Sequence, residues 1–343
     1  MPALADLGPG RPGYDLVMRR GGWGVLVLLL LLCACGSDDD PSFEYPLDDT
    51  LTFHHLQAKG THNSFHIAPE DPATEDWMYT HLPLDEQFGI QGVRQVELDL
   101  NIDPFEERFD VYHFIRVDEE TTCALLTDCL RDMKRWSDAN PAHHPIVAML
   151  ELKDGFDAAY QDRFFELLEL EILSVWPIER IVTPDRIRGD DATIAEAVAT
   201  RGWPSLGELR GGVLFLLLDD GDHRRVYTHE DTSLDGRLAF VTVDLGAPYA
   251  AVTKVDNPIS GAAEIDAAVG AGMLIRTRID RVGATGPEID PERFDAALAG
   301  AAHFLSTDAP DTALPGGSPS RCNPVTAPAE CTAEAIEDPA FVD

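Results

Sequence analysis

The sequence is poor in positive charge: Lys and Arg total 26 against 61 Asp and Glu, a formal net charge of −35 over 343 residues. Such a chain repels a nucleic-acid backbone, which makes DNA and RNA poor partners. The acidity itself reads as a solvated surface suited to solubility or a salty habitat, with attraction of cations as a side benefit. There is no GxGxxG fingerprint and no P-loop, so an open nucleotide-binding sheet lacks its signature. No CxxC or Cys/His cluster has zinc spacing, which argues against a structural zinc site. Internal repeats are absent, and long apolar runs are scarce.

The one pronounced apolar run, 25–34, would extend about 15 Å as a helix, half of the roughly 30 Å hydrocarbon core of a bilayer. It follows Arg19 and Arg20 and ends in small residues before three aspartates, the order of a signal peptide rather than a membrane-spanning anchor. Leu32-Cys33-Ala34-Cys35 resembles a bacterial lipobox, with Cys33 unusual at its position; this implies Cys35 as the lipidated first residue of the mature chain. The alternative is plain secretion. Met18 stands directly before the arginine pair and makes a better start for such a signal than Met1, which would leave residues 1–17 untranslated. The expected layout is a signal peptide over 1–34, a lipidated Ser/Asp/Pro-rich tether over 35–50, and one domain over 51–343. An exported, surface-held chain sits in an oxidising compartment, so the close pairs Cys123 with Cys129 and Cys322 with Cys331 are expected as two local disulfides.

Short β-type runs recur at 56–61, 92–100, 111–114, 145–152, 213–218, 238–243, 273–278 and 303–307. Helical patterns lie between several of them: Phe164, Leu168, Ile172 and Trp176 share one face, and 193–200 is a second helix former. About eight strands alternating with helices predict an α/β fold, a TIM-type (β/α)8 barrel, distorted if need be, in a single domain. The Pro-, Ala- and Gly-rich end from 310 onward is expected to wrap the barrel as a disulfide-closed segment.

Strand alternation puts Glu97 and Asp99 on one face of Gln95-Val96-Glu97-Leu98-Asp99-Leu100, and Glu151 beside Lys153 in the strand that follows. Arg276, Arg278 and Asp280 repeat the pattern. Each alone reads as an ion-paired strand end; several together at the C-terminal ends of barrel strands read as an active site.

With Thr61-His62-Asn63-Ser64-Phe65 and Val111-Tyr112-His113 added, the chain resembles the phosphatidylinositol-specific phospholipase C superfamily, in particular its calcium-dependent branch of secreted microbial proteins. GTHNSFH, GVRQVELDL, VYH, PIVAMLELKD, TPDRIRG, RGWPSLGELRGGVLF, IRTRID, FLSTD and RCNPVTAP carry the likeness, in order, from Ala58 to about Cys331. Phe65 stands where tyrosine is common. The resemblance implies a phosphoric diester hydrolase that cleaves an inositol lipid through a cyclic phosphate. His62 and His113 match its catalytic histidines; Asn63, Glu97, Asp99 and Glu151 match its Ca2+ ligands. Lys153, Arg276 and Arg278 match positions near the substrate phosphates, and Ser306 and Asp308 would line the pocket. Glu97, Glu151 or His62 could accept the nucleophile's proton, or His62 could hold the equatorial oxygen, while His113 protonates the leaving glycerol. His54, His55, His66, His143 and His144 match nothing and are expected to be surface or packing residues. A monomer held to the membrane by its lipid and acting on a phosphoinositide is the expected working state. Two rivals remain: a glycerophosphodiester phosphodiesterase, which shares the His, Glu-x-Asp, His skeleton but typically has His-Arg where this chain has His62-Asn63, and a non-catalytic inositol-lipid-binding lipoprotein.

Overall fold

The computed structural model describes residues 45–155, 161–219, 221–311, 314 and 319–336. The signal segment, Cys35 and most of the tether lie outside the described residues.

Among the described residues there are twelve strands: β1 (Leu56–Thr61), β2 (Val93–Asp103), β3 (Arg108–Val111), β4 (Ile146–Leu152), β5 (Val213–Leu217), β6 (Ala239–Val241), β7 (Val252–Lys254), β8 (Leu274–Arg278), β9 (Asp280–Gly283), β10 (Gly286–Ile289), β11 (Phe304–Thr307) and β12 (Ser320–Cys322). Eight of them pair in parallel in the order β6-β5-β4-β2-β1-β11-β8-β7. A parallel bridge between Thr242 and Val252 joins the two ends into a nearly closed barrel. Helices cover its outside, so strands such as Val213-Leu214-Phe215-Leu216-Leu217 are buried on both faces and read as unbroken apolar runs.

The expected (β/α)8 barrel is therefore present, with two corrections to its staves. The run 111–114 is not a stave: the strand there is Arg108–Val111, and it folds back antiparallel on the long β2. The eighth stave is Val252–Lys254, which shows no pattern of its own because it is three residues long and held by pairing to β8.

One seam departs from a regular barrel. The short β12 runs antiparallel to β1 over Leu56, Gln57 and Ala58, so β1 meets β2 only at Lys59 and Gly60, with a register shift between them. Cys322 of β12 is bridged to Cys331, and Cys123 to Cys129, as the pairing by proximity anticipated. The helix patterns hold as well: Gln161–Val175 buries Phe164, Leu168 and Ile172, and Thr193 caps Ile194–Thr200 by accepting from the Glu196 amide at 3.0 Å.

Inside the barrel the two ends differ. Phe53, Trp203, Phe240 and Phe304 meet edge-on or tilted, with centroids 5.7 to 6.1 Å apart, and make an apolar floor. Toward the C-terminal ends the inward residues become polar: Gly60 pairs with Gln95 and Ser306, Ser306 with Arg278, and Asp99 with Glu151. Gly60 is required there, because a Cβ would lie 2.0 Å from Gln95 Oε1 and 3.1 Å from Gln95 Cβ. Gln95 cannot swing away freely, since its amide donates to the Thr61 carbonyl at 3.0 Å. Gly60→Ala is expected to lower the unfolding free energy by about 1–3 kcal/mol through overpacking, read from the midpoint of chemical denaturation; an unchanged midpoint would contradict this packing.

Candidate active site

His62 is the first residue beyond β1, and Asp308 the first beyond its neighbour β11. Parallel pairing therefore brings them together: His62 Nδ1 lies 3.0 and 3.2 Å from the two Asp308 oxygens. Asp308 in turn accepts from Arg278 Nη2 at 2.7 Å, and Arg278 Nε donates to Asp280 Oδ1 at 2.8 Å. The other Asp280 oxygen accepts from the Asp308 amide at 2.5 Å, closing a rigid ring of groups. Burial alone would raise the Asp308 carboxyl, but His62 and Arg278 outweigh it and hold it well below the usual carboxylate range. Burial likewise opposes protonation of His62, yet Asp308 and Glu97 keep its pKa above the ordinary histidine value. His81 Nε2 donates to the His62 carbonyl at 2.9 Å and fixes the backbone of that residue.

Glu97, Asp99 and Glu151 come from adjacent staves. β2 and β4 pair with Asp99 opposite Glu151, and the three carboxylates each offer an oxygen within 4.8 Å of the others. Burial, then Glu151, push the Asp99 carboxyl up to about 8, while Lys153 pulls the other way. Lys153 Nζ sits 3.1 Å from Asp99 Oδ2 and 3.2 Å from Glu151 Oε1. Glu97 is held from the far side by the buried Arg276, whose Nη2 donates to Oε2 at 2.9 Å and whose Nη1 pairs with Asp256. Glu97 Oε1 is 3.9 Å from His62 Nε2. Asn63 follows His62 with φ 39°, a left-handed conformation that Asn tolerates better than most residues. The Ser64 amide donates to the Glu97 carbonyl and the Glu97 amide to Ser64 Oγ, both at 2.8 Å, which stitches the Asn63 loop to the acidic strand. Oxygen donors only, clustered and carrying more negative charge than Lys153 offsets, suit a hard divalent cation such as Ca2+.

His113 lies on the loop after β3. Its Nδ1 is 2.6 Å from Asp118 Oδ2, and its ring packs on Phe114 and Trp77 at 4.1 and 5.8 Å between centroids. Lys153 lies 5.1 Å over the Phe114 ring, so contacts run without a break from Asp308 through His62, Glu97, the acid cluster and Lys153 to the His113 loop. In both histidines a carboxylate accepts a hydrogen bond from Nδ1, which leaves Nε2 as the nitrogen able to exchange a proton with a ligand. Ser306 is buried on β11 between Gly60 and Arg278, its hydroxyl without a hydrogen-bond partner. Arg278 also opens onto a cleft of about 320 Å³ lined with Asp256, Asn257, Asp280, Arg281 and Arg293.

His62, Glu97, Asp99, His113, Glu151, Lys153, Arg276, Arg278 and Asp308 fall into this one connected set, with Asn63 next to His62 in the chain and Ser306 beside Arg278 in the strand pairing. Arg276 and Lys153 are engaged with carboxylates: Arg276 is 2% exposed behind Glu97, and Lys153 is in the acid cluster. Asp118, Asp256, Asp280 and His81 were not singled out for roles. Asp280 ends the noted Arg276 to Asp280 alternation, while Asp118 sits in an acidic loop with no periodic pattern. Of the histidines expected merely to pack, His143 and His144 do so, each buried and hydrogen-bonded to a serine. His54 packs tilted against His303 with ring centroids 4.8 Å apart, and burial, with His55 adding, pushes its pKa down to about 4. His66 is different, because it bonds to Asp118.

No curated protein matches the sequence significantly. Among solved structures, the chain is similar to a calcium-dependent phosphoinositol-specific phospholipase C from Pseudomonas sp., with TM-score 0.60 and 17% identity over 83% of this chain and 99% of that one. It is also similar to a Ca2+-dependent phosphatidylinositol-specific phospholipase C from Streptomyces antibioticus, with TM-score 0.58 and 20% identity over 76% and 98%. These likenesses bear on the fold. The sequence itself matches the family "Phosphoinositide phospholipase C, Ca2+-dependent" over residues 105–324, a span holding His113, Glu151, Lys153, Arg276, Arg278, Ser306 and Asp308. With well over half of its length so matched, the chain belongs to the calcium-dependent phosphoinositide phospholipase C family, phosphoric diester hydrolases that use Ca2+.

Proposed function

We propose that the chain cleaves phosphatidylinositol-type lipids to diacylglycerol and a cyclic inositol phosphate, with His62 as base and His113 as acid. The observation that carries this reading is the pair of His–Asp couples, His62 with Asp308 and His113 with Asp118, flanking one acid cluster.

His62 Nε2 takes the proton of the inositol 2-hydroxyl as that oxygen forms its bond to phosphorus. Asp308, itself gripped by Arg278, keeps the Nδ1 proton in place and stabilises the imidazolium that results. The bond from phosphorus to the glycerol oxygen breaks, and His113 Nε2 donates its proton to that oxygen. Asn63, Glu97, Asp99 and Glu151 would hold Ca2+, which supplies charge neutralisation at the phosphate and acidifies a nearby hydroxyl. Arg276 fixes Glu97, Lys153 offsets the cluster's charge, and Arg278 lines the cleft proposed for the headgroup, with Ser306 and Asp308 behind it.

A lipid source for the headgroup is supported by the rim. Phe105, Phe114, Ile115, Val117 and Ile259 follow the C-terminal ends of strands and are exposed, Phe105 by 94%, and Val282 is exposed in the β9–β10 hairpin after β8. Apolar side chains around a polar mouth favour contact with a membrane surface over free solution. A net charge of −35 leaves little attraction to an anionic bilayer, so these side chains carry the contact. Among the described residues no helix is long and apolar enough to cross a membrane. Export by the 25–34 segment and a lipid on Cys35, with the domain from 51 onward acting as a monomer, complete the proposed working state.

Phosphorus NMR of enzyme with phosphatidylinositol vesicles is expected to show a cyclic inositol phosphate first. It should be abolished by chelator and reduced about 10²–10⁴-fold by His62→Ala or His113→Ala; glycerol phosphate as the product would overturn the reading. Replacing Phe105, Ile115 and Val117 together with serine should reduce turnover of vesicles at least about 10-fold and leave soluble short-chain substrate within about 2-fold. The pH dependence of ion binding follows from Asp99. With its folded pKa raised to about 8, this group costs the metal-free protein stability as pH rises from about 4 toward 8. Binding a cation there must release a proton below about pH 8, so Ca2+ should raise the melting temperature more at pH 8.5 than at pH 6. An equal shift at both would contradict this.

A further inference from the structure

His66 is completely buried and plays no part in the chemistry described so far. Its two ring nitrogens both face oxygen atoms that accept hydrogen bonds. Nδ1 is 3.0 Å from the main-chain oxygen of Tyr79, and Nε2 is 2.8 Å from Asp118 Oδ1. A carbonyl oxygen can only accept. Asp118 is ionised, since burial would raise its carboxyl but hydrogen bonds from His113 and His66 hold it below the usual range. Both His66 nitrogens must therefore donate, and a ring that donates twice is an imidazolium. The Tyr79 ring stacks on it at 4.2 Å, a favourable place for a cation.

Asp118 thus holds one histidine on each oxygen: His66 on Oδ1 and His113 on Oδ2. We propose that His66 is a positioning residue for the leaving-group acid: a buried imidazole that donates from both nitrogens, shares the charge of Asp118 and so keeps His113 able to give up its proton. The physical reason is a balance. With Asp118 to itself, His113 would face a full buried negative charge that stabilises its imidazolium and makes it a reluctant donor. A second cation on the opposite oxygen divides that charge between two partners. Among the described residues Asp118 makes no other ion pair. Around His113 stand Asp118, His66 behind it, the rings of Trp77 and Phe114, and Lys153 against Phe114.

His66 also ties the two catalytic loops together. It follows His62 by four residues, and its segment is pinned to the His113 loop by the Ile67 amide on the Glu120 carbonyl and the Thr122 amide on the Phe65 carbonyl. The Asp118 amide donates to the Phe114 carbonyl at 2.9 Å, which closes the turn carrying His113.

The inference rests on His113 being the acid, and the test separates the two. His66→Gln keeps an amide donor for Asp118 without the charge, and His66→Phe removes both. Each is compared with wild type and His113→Ala on two soluble substrates: short-chain phosphatidylinositol, whose glycerol oxygen needs a proton, and inositol 4-nitrophenyl phosphate, whose leaving group does not. The expected result is that His66→Gln lowers kcat on the lipid about 10- to 100-fold and on the nitrophenyl ester less than about 3-fold, matching the substrate dependence of His113→Ala. The alkaline limb of its kcat profile should also move up by about half to one pH unit. Should His113→Ala discriminate between the substrates while His66→Gln hits both equally with no moved limb, His66 is only structural and the inference fails, though the acid assignment stands. Should His113→Ala itself fail to discriminate, both fall. His66→Phe separates charge from packing: a loss on both substrates equal to that of His66→Gln would overturn a charge-sharing role.

Discussion

The register between β2 and β4 is the constraint on which the site depends. It sets Asp99 opposite Glu151 and, with Glu97 two residues earlier on the same face, crowds three carboxylates within 4.8 Å at the barrel mouth. Such crowding is unfavourable by itself, and the surroundings show how it is tolerated. Arg276 neutralises Glu97 from behind, Lys153 leans on the other two, and Asp99 is pushed toward its neutral form. A one-residue slip in that pairing would turn the acids outward and replace them with Val96, Leu98 and Leu100. The apolar shell around the barrel makes such a slip prohibitively costly, so the hydrophobic pattern of the outer faces is what holds a strained polar interior in place.

On either side of the cluster the same device appears twice. A histidine just beyond a strand is held through Nδ1 by an aspartate, and each aspartate is supported by a second cation, Arg278 for Asp308 and His66 for Asp118. The two halves differ in what supports them. A guanidinium donates from a fixed planar fork, whereas His66 supports its aspartate with one ring nitrogen while the other is committed to the Tyr79 carbonyl. That difference suits the proposed displacement, in which the two histidines pass protons in opposite directions.

Much of this was legible in the sequence, because period-two alternation is visible in Glu97 and Asp99, in Glu151 with Lys153, and in Arg276 with Arg278. Barrel staves long enough to bury both faces were equally plain. What escaped was whatever depends on pairing rather than pattern. β7 is three residues held by a neighbour, β3 folds back on the end of β2 that runs past its last pair with β4 at Leu100, and β12 occupies a seam that no local signal marks. Asp118 and His66 escaped for the same reason: 52 positions separate them, and only the meeting of two loops makes them partners. Lys153 and Arg276 were nominated by their place in the pattern, but their commitment to carboxylates was not legible, since alternation gives a side chain's face and not its partner.

The most direct test is anomalous diffraction from crystals of the domain grown with Ca2+ and collected at long wavelength. The account predicts one strong calcium peak at the mouth of the barrel, bound by oxygens of Asn63, Glu97, Asp99 and Glu151 and within reach of the His62 loop. A peak elsewhere, or none at this cluster with Ca2+ in excess, would contradict it.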